Sequence, residues 1–221
     1  MHPFETVHIF VTDLSFSDYL YLDLSQKIGS DFTVPAASKQ WIQIDLPLEV
    51  EAPAGFRKRL LFIEKIPQVH VVSPEIVPLS DVRQFKDLLF EQQAFHYQLD
   101  TEYFADPAVF EIDAYLVEID EKLQDGTAAA YGVFEAGELL GFSVVELEDD
   151  GSAYLLELMV LEKVRGKGYG KSLLKSAETW AAERQVGRFW TSAAVGNESA
   201  LHFYERQGFR PTKVRWAARS S

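Results

Sequence analysis

An apolar run, YLLELMVL from Tyr154 to Leu161, stops against the glycine-rich stretch VRGKGYGKSLL (Val164 to Leu174), and a helix-patterned segment follows at once. Strand, glycine turn and helix, in that order, are how a backbone builds an anion cradle. Gly166, Gly168 and Gly170 leave successive amide N–H groups unobstructed, and the helix start behind them adds the positive end of its dipole. An anion with several phosphate oxygens fits such a loop, and a chain built around the unit belongs to the α/β class.

Spacing separates this cradle from two common ones. A Walker A loop needs one more residue than lies between Gly166 and Gly170-Lys171-Ser172, and the dinucleotide fingerprint would require glycine at Lys171 or Leu173. What remains resembles the Arg/Gln-x-x-Gly-x-Gly/Ala signature of the GNAT family of acetyl-CoA-dependent N-acetyltransferases, matched by Arg165, Gly168 and Gly170. Downstream, NESALHFYERQGF (Asn197 to Phe209) resembles the same family's Asn-x-x-Ala-x-x-x-Tyr-x-x-x-Gly-Phe helix and turn. The two motifs stand in the family's order, and the resemblance spans residues 73 to 215.

The coarse elements can be read without the motifs. Gln68 to Ile76 reads as a strand, and Asp81 with Gln84 reads as a capping box opening a helix with Val82, Phe85 and Leu89 inward, ending near Tyr97. Asp106-Pro107 opens a second helix with Val109, Ile112, Leu116, Ile119 and Leu123 on one face, stopped by Asp125-Gly126. Ala128 to Phe134 and Leu139 to Leu147 form a hairpin about Gly137, and Ser152 to Leu161 is the next strand. Beyond the loop come a helix with Leu173, Leu174, Ala177, Trp180 and Ala181 inward, a strand from Phe189 to Val195, a helix capped by Asn197 and ended by Gly208, and a strand from Phe209 to Ala217. The order βααβββαβαβ predicts an α/β fold with a mixed sheet, and the resemblance implies the GNAT version of it, mostly antiparallel and flanked by helices.

Residues 1 to 72 fall outside the resemblance and read as a small strand-rich extension, leaving residues 73 to 221 as the transferase-like domain. Ile42, Ile44, Leu46, Leu48 and Val50 alternate with polar residues, and Pro47 places that strand toward an edge. Val7 to Val11 and Leu60 to Ile63 are further strands, with loops at Ala36-Ala37-Ser38 and Ala52 to Gly55. Substrate shaping, a homodimer contact and plain support are its open uses.

Composition excludes more than it assigns. With 47% hydrophobic residues in 221 the chain can bury a core, yet no apolar run approaches the ~20 residues of a membrane span, and MHPFETVHIF lacks the basic-then-apolar pattern of a signal peptide. The absence of cysteine removes disulfides, thiolate metal sites and cysteine nucleophiles, and it fits a cytoplasmic protein. His2, His8, His70, His96 and His202 have no metal-ligand spacing, so no metal is expected. The net charge of −13 divides into −4 for residues 1 to 75, −15 for 76 to 150 and +6 for 151 to 221. A basic final third suits a polyanionic coenzyme, and an acidic middle suits either a cationic acceptor or a well-solvated surface.

The resemblance implies a division of chemical labour. Acetyl-CoA is the implied co-substrate, the partner a small-molecule or peptide amine, with no nucleic acid or membrane. A primary amine with the ordinary lysine pKa of about 10.4 is protonated at neutral pH, so a base must take its proton. Glu157, where similar transferases carry an acid facing the acceptor, is the candidate base, and anchoring the acceptor is its alternative role. The family's strand bulges around Leu158, Met159 and Val160, freeing main-chain groups for the pantetheine arm and the thioester oxygen. Arg165, Gly166, Lys167, Gly168, Tyr169, Gly170 and Lys171 would hold the coenzyme's phosphates, with Asn197 as a coenzyme contact or a helix cap. Tyr204 is the candidate acid for the departing thiolate, with aromatic packing as its alternative. His96, Asp100, Glu102 and Tyr103, at the end of the first helix, lie where such enzymes form the acceptor wall. The expected activity is direct acetyl transfer in a ternary complex, and the alternative is an acyl-CoA-binding sensor or scaffold without turnover.

Overall fold

The structure, a computed structural model, describes residues 9–12, 41–48, 51–52, 55–71, 73 and 75–219. The elements run β1 (Ile9–Thr12), β2 (Trp41–Pro47), β3 (Arg57–Lys65), β4 (Ile76–Leu79), α1 (Lys86–Leu99), α2 (Ile112–Asp125), β5 (Ala128–Glu135), β6 (Glu138–Leu147), β7 (Ala153–Val160), α3 (Tyr169–Glu183), β8 (Phe189–Ala194), α4 (Glu198–Arg206) and β9 (Arg210–Arg219). From β4 onward this is the βααβββαβαβ order read from the sequence, and the fold is mixed α/β. Contacts divide the chain into two compact units, 1–63 with 192–202 and 210–221, and 64–191 with 203–209.

In the smaller unit β2 pairs antiparallel with β1 on one side and β9 on the other, the backbone of Ile44 in register with Ile9 and with Trp216. The edge position suggested by Pro47 therefore does not hold for β2, because Pro47 sits at the strand's last residue, opposite Lys213. Leu46 is fully buried, and Asp45 accepts two 2.7 Å hydrogen bonds from the Arg215 guanidinium. Val7, His8, the loop at Ala36 to Ser38, Glu49-Val50 and Pro53-Ala54 lie outside the described residues.

In the larger unit β4, β5, β6 and β7 pair antiparallel in sequence order, and β8 joins parallel to β7. One sheet face packs on α1 and α2 through Val82, Phe85, Leu89, Leu116, Ile119, Phe142 and Val144, with the Phe85 and Phe142 rings stacked at 4.7 Å. The opposite face meets α3 through Ile76, Val133, Leu140, Val164 and Leu173. Ala136 and Gly137, with φ of 51° and 85°, make the hairpin turn between β5 and β6. At Gly141 the strands approach so closely that a Cβ would lie 2.7 Å from the Met159 carbonyl oxygen.

Two bulges set which side chains face which layer. Val133 opposes Gly141 while Phe134 opposes Leu139, which leaves Leu140 as an extra residue in β6. Val144 opposes Glu157 while Val145 opposes Leu155, so Leu156 is the extra residue in β7.

Three sequence expectations shift. Residues 68 to 71 are not in a strand: Val69 and Val71 are 66% and 95% exposed, and the main-chain N–H groups of Gln68 and His70 donate to Glu178 and Thr179 of α3. The strand begins only at Ile76. Asp81 caps a short 3₁₀ turn, Val82–Phe85, before α1. Asp106 organises a turn through its side chain and carbonyl, and α2 starts at Ile112, leaving Val109 73% exposed.

Candidate active site

Glu157 lies on β7 opposite Val144, hence on the face covered by α1 and α2, and is only 6% exposed. Each carboxylate oxygen has a donor from a different helix. The Tyr115 hydroxyl of α2 donates to Oε1 at 2.6 Å, and the Gln92 amide of α1 donates to Oε2. Both donors are neutral, whereas Glu146 on the same sheet face is paired with Lys122 Nζ at 2.6 Å. Burial pushes the Glu157 carboxyl up to about 7, against the two hydrogen bonds that favour its charge and with a further push from Glu146. A carboxyl that titrates near neutrality while its ionised form is hydrogen-bonded has the properties of a general base.

Removing one of those bonds has a signed consequence. Tyr115→Phe deletes a donor that favours the ionised carboxylate, so the Glu157 pKa should rise further. The acidic limb of a pH–rate profile should move about one unit to higher pH, while Gln92 keeps the carboxylate oriented. Steady-state rates between pH 5.5 and 9 measure this.

Tyr204 of α4 is 8% exposed and edge-on to Phe203 and Phe209. Burial pushes its phenol up, with hydrogen bonding to Thr191 acting the other way and the charges of Tyr154 and Glu157 adding to the rise. Its proton is therefore retained throughout the neutral range. Thr191 donates to the Leu155 carbonyl at 2.8 Å, so Tyr204 is tied to β7 just before the bulge.

The loop behind β7 has the geometry of a cradle. A short turn, Glu162–Val164, leads to Gly166 and Gly168 with φ of 82° and 90°, a left-handed conformation open to glycine. Gly168 is the N-cap of α3 and makes no side-chain cap; Ser172 N–H bonds its carbonyl, which leaves the N–H groups of Tyr169, Gly170 and Lys171 without helical partners. The first turn of α3 carries no acidic residue. Arg165, Gly166, Lys167, Gly168 and Lys171 are exposed. Arg165 Nε reaches back to the Val160 carbonyl at 3.3 Å, and Lys167 stands 3.7 Å from Glu135. Tyr169 is half-buried, packing with Leu158 and Val160 on the α3 side.

Leu158, Met159 and Val160 oppose Ser143, Phe142 and Gly141 in regular register, so in the β6–β7 pair the bulge sits at Leu156, ahead of where it was expected. Within this unit β7 pairs with β8 at Ala153–Phe189 and Tyr154–Trp190. Met159 packs on the α1/α2 cluster. Asn197 acts as a cap: its side chain accepts from Ala200 N–H at 3.1 Å and its carbonyl from Leu201 N–H. At the end of α1, His96 stacks on Phe104 at 5.0 Å with burial pushing its imidazole down. Asp100 accepts from the N–H groups of Glu102 and Tyr103, which gives it a turn-forming role, and Tyr103 packs edge-on against Phe104.

Gln92 and Tyr115 were not singled out in the sequence, although each lies on an inward helical stripe: Phe85, Leu89, Gln92 and His96 are spaced 4, 3 and 4 apart. A polar residue on such a stripe was the available signal. Among the described residues no group of three or more metal-binding side chains is close enough to hold a metal, and no helix is long and apolar enough to cross a membrane.

This arrangement has relatives. A streptothricin acetyltransferase of Streptomyces lavendulae is 35% identical over 74 residues, 33% of this chain and 39% of that protein. One of Escherichia coli is 30% identical over 91 residues, 41% of this chain and 52% of that protein. The match thus spans about half or less of each relative's length. A GCN5-related N-acetyltransferase of Ralstonia eutropha shares the fold with a TM-score of 0.52 at 22% identity, covering 62% of this chain and 93% of that one. Residues 90–209, from α1 through the turn after Tyr204, match the Acetyltransferase (GNAT) family, and the chain belongs to that family of acyltransferases.

Proposed function

We propose that the protein transfers the acetyl group of acetyl-CoA to a primary amine that is cationic when free, by direct attack in a ternary complex, without a metal. The observation that carries this reading is Glu157, a buried carboxyl held by two neutral donors and titrating near 7. An incoming ammonium supplies the positive charge the site lacks and the proton that Glu157 accepts.

The cradle fits the coenzyme. The three free N–H groups at the start of α3 and the left-handed Gly168 present donors to a diphosphate, and Lys171 adds charge beside them. When bound, the thioester supplies the acetyl group. Glu157 takes the ammonium proton, the neutral amine attacks the carbonyl carbon, the C–S bond breaks, the departing sulfur takes the proton of Tyr204, and the second proton leaving the amide nitrogen restores the phenol. Because Tyr204 holds its proton firmly, it is present as a donor at every pH at which Glu157 is a base. Tyr204→Phe should lower turnover by about tenfold at unchanged acetyl-CoA affinity.

The acceptor wall is assigned to the end of α1, with His96, Asp100 and Tyr103 around Phe104. The relatives bring streptothricin into the panel of acceptors, beside polyamines, amino sugars and peptide amines. The deciding experiment is release of free coenzyme A from acetyl-CoA across that panel. Release with a cationic amine supports the transferase. Binding of acetyl-CoA without release for every amine would instead make this chain a coenzyme sensor.

A further inference from the structure

Lys65 and Glu178 form a buried pair outside the site just described. Lys65 Nζ stands 2.8 Å from Glu178 Oε1, and the two side chains are 14% and 2% exposed. The ammonium also donates to the Gln207 carbonyl at 2.9 Å and lies 5.5 Å from the centre of the Phe209 ring. Gln207 begins the turn that ends α4, where the Tyr204 carbonyl accepts from both Gln207 N–H and Phe209 N–H and Gly208 adopts φ of 87°. A cation on a terminal carbonyl is a helix C-cap, favoured by the negative end of the dipole.

Glu178 is as fully engaged from the other side. Its Oε1 also accepts from Gln68 N–H at 3.0 Å, and its Oε2 lies 2.9 Å from His70 Nε2. It belongs to α3, the helix whose first turn forms the cradle. A buried carboxylate with this many partners is fixed in place, and removing one member of such a pair leaves an uncompensated charge.

The geometry points to Lys65 as a positioning residue that, anchored by Glu178 on α3, locks the end of α4 and thereby sets the Tyr204 hydroxyl against the sulfur of the coenzyme held by the same α3. The inference rests on the proposed proton donation by Tyr204. Lys65 touches no reacting atom, so it acts only through where Tyr204 stands. A hydroxyl displaced by a fraction of an ångström is a poor donor, and the cradle at the far end of α3 is untouched.

A double-mutant cycle tests this, read as the single-turnover rate of acetyl transfer and the Kd for acetyl-CoA, both well below the melting temperature of each variant. Lys65→Met should slow transfer about tenfold with Kd within about twofold of wild type, and Lys65→Arg should restore most of the rate. In a Tyr204→Phe background, Lys65→Met should cause no further loss. Glu178→Gln, which keeps the shape and removes the charge, should repeat the pattern and serves if Lys65→Met does not fold. Equal losses with and without Tyr204, or no loss from either variant, would overturn the positioning role. Absence of any loss in Tyr204→Phe itself would remove the donor, and the positioning role with it.

Discussion

Glu157→Gln is expected to lower turnover by about 10²- to 10³-fold with acetyl-CoA affinity unchanged, because the amide keeps the shape of the side chain and cannot take the acceptor's proton. In the wild type the rate should climb from pH 6 to a plateau above 8, following ionisation of a carboxyl at about 7. The remaining activity of Glu157→Gln should not follow that limb. Steady-state kinetics with a fixed amine give the first result and a pH series the second. Full activity at neutral pH would transfer the base to another group.

Stability should change in the opposite direction. The folded protein holds the Glu157 proton up to about pH 7, whereas the unfolded glutamate releases it near 4.5. Between these values the native state binds more protons, so folding stability falls as pH rises, by about 3 kcal/mol in all, and levels off above 7. Glu157→Gln lacks this loss. Its melting temperature should match wild type near pH 4 and exceed it at pH 8, a combination of lost activity and gained stability that separates a functional carboxylate from a structural one.

Gly168→Glu should reduce acetyl-CoA affinity by more than about 100-fold while circular dichroism stays native. At φ of 90° any side chain strains the backbone, at a cost of about 1–2 kcal/mol, although the space beside Gly168 is open. The added carboxylate also stands where the three free N–H groups would meet a diphosphate, and like charges exclude it. Titration calorimetry with acetyl-CoA reads the loss. Unchanged affinity would move the coenzyme away from this loop.

The fold was largely legible because its elements obey local rules. Leu173, Leu174, Ala177, Trp180 and Ala181 are all under 7% exposed, as their helical spacing predicted, and α2 stops at Asp125 and Gly126 as expected, with Gly126 in the left-handed conformation. The misreading of residues 68 to 71 as strand has a long-range cause, backbone groups satisfied by distant side chains. Val69 and Val71 alternate like strand residues, yet their segment is bonded to Glu178 and Thr179, more than a hundred positions away. Glu178 is itself hidden in the apolar stripe of α3, its burial explained by Lys65, His70 and the Gln68 N–H. In the site, Glu157 and the glycines are visible as single residues on one strand and one loop. Gln92 and Tyr115 acquire meaning only when α1 and α2 are laid on β7, a long-range event that no local pattern encodes.

Strand parity decides which layer receives the Glu157 carboxylate. In an uninterrupted strand residues two apart share a face, and Leu155 faces away from α1 and α2, so Glu157 would join it among the apolar side chains toward α3. The extra residue at Leu156 reverses the count and delivers the carboxylate to Tyr115 and Gln92. Deleting Leu156 would remove one apolar contact with the α1/α2 core and turn the carboxylate to the wrong layer. Among homologous chains, the length of β7 between Ala153 and Glu157 therefore decides whether residue 157 meets α1 and α2 at all.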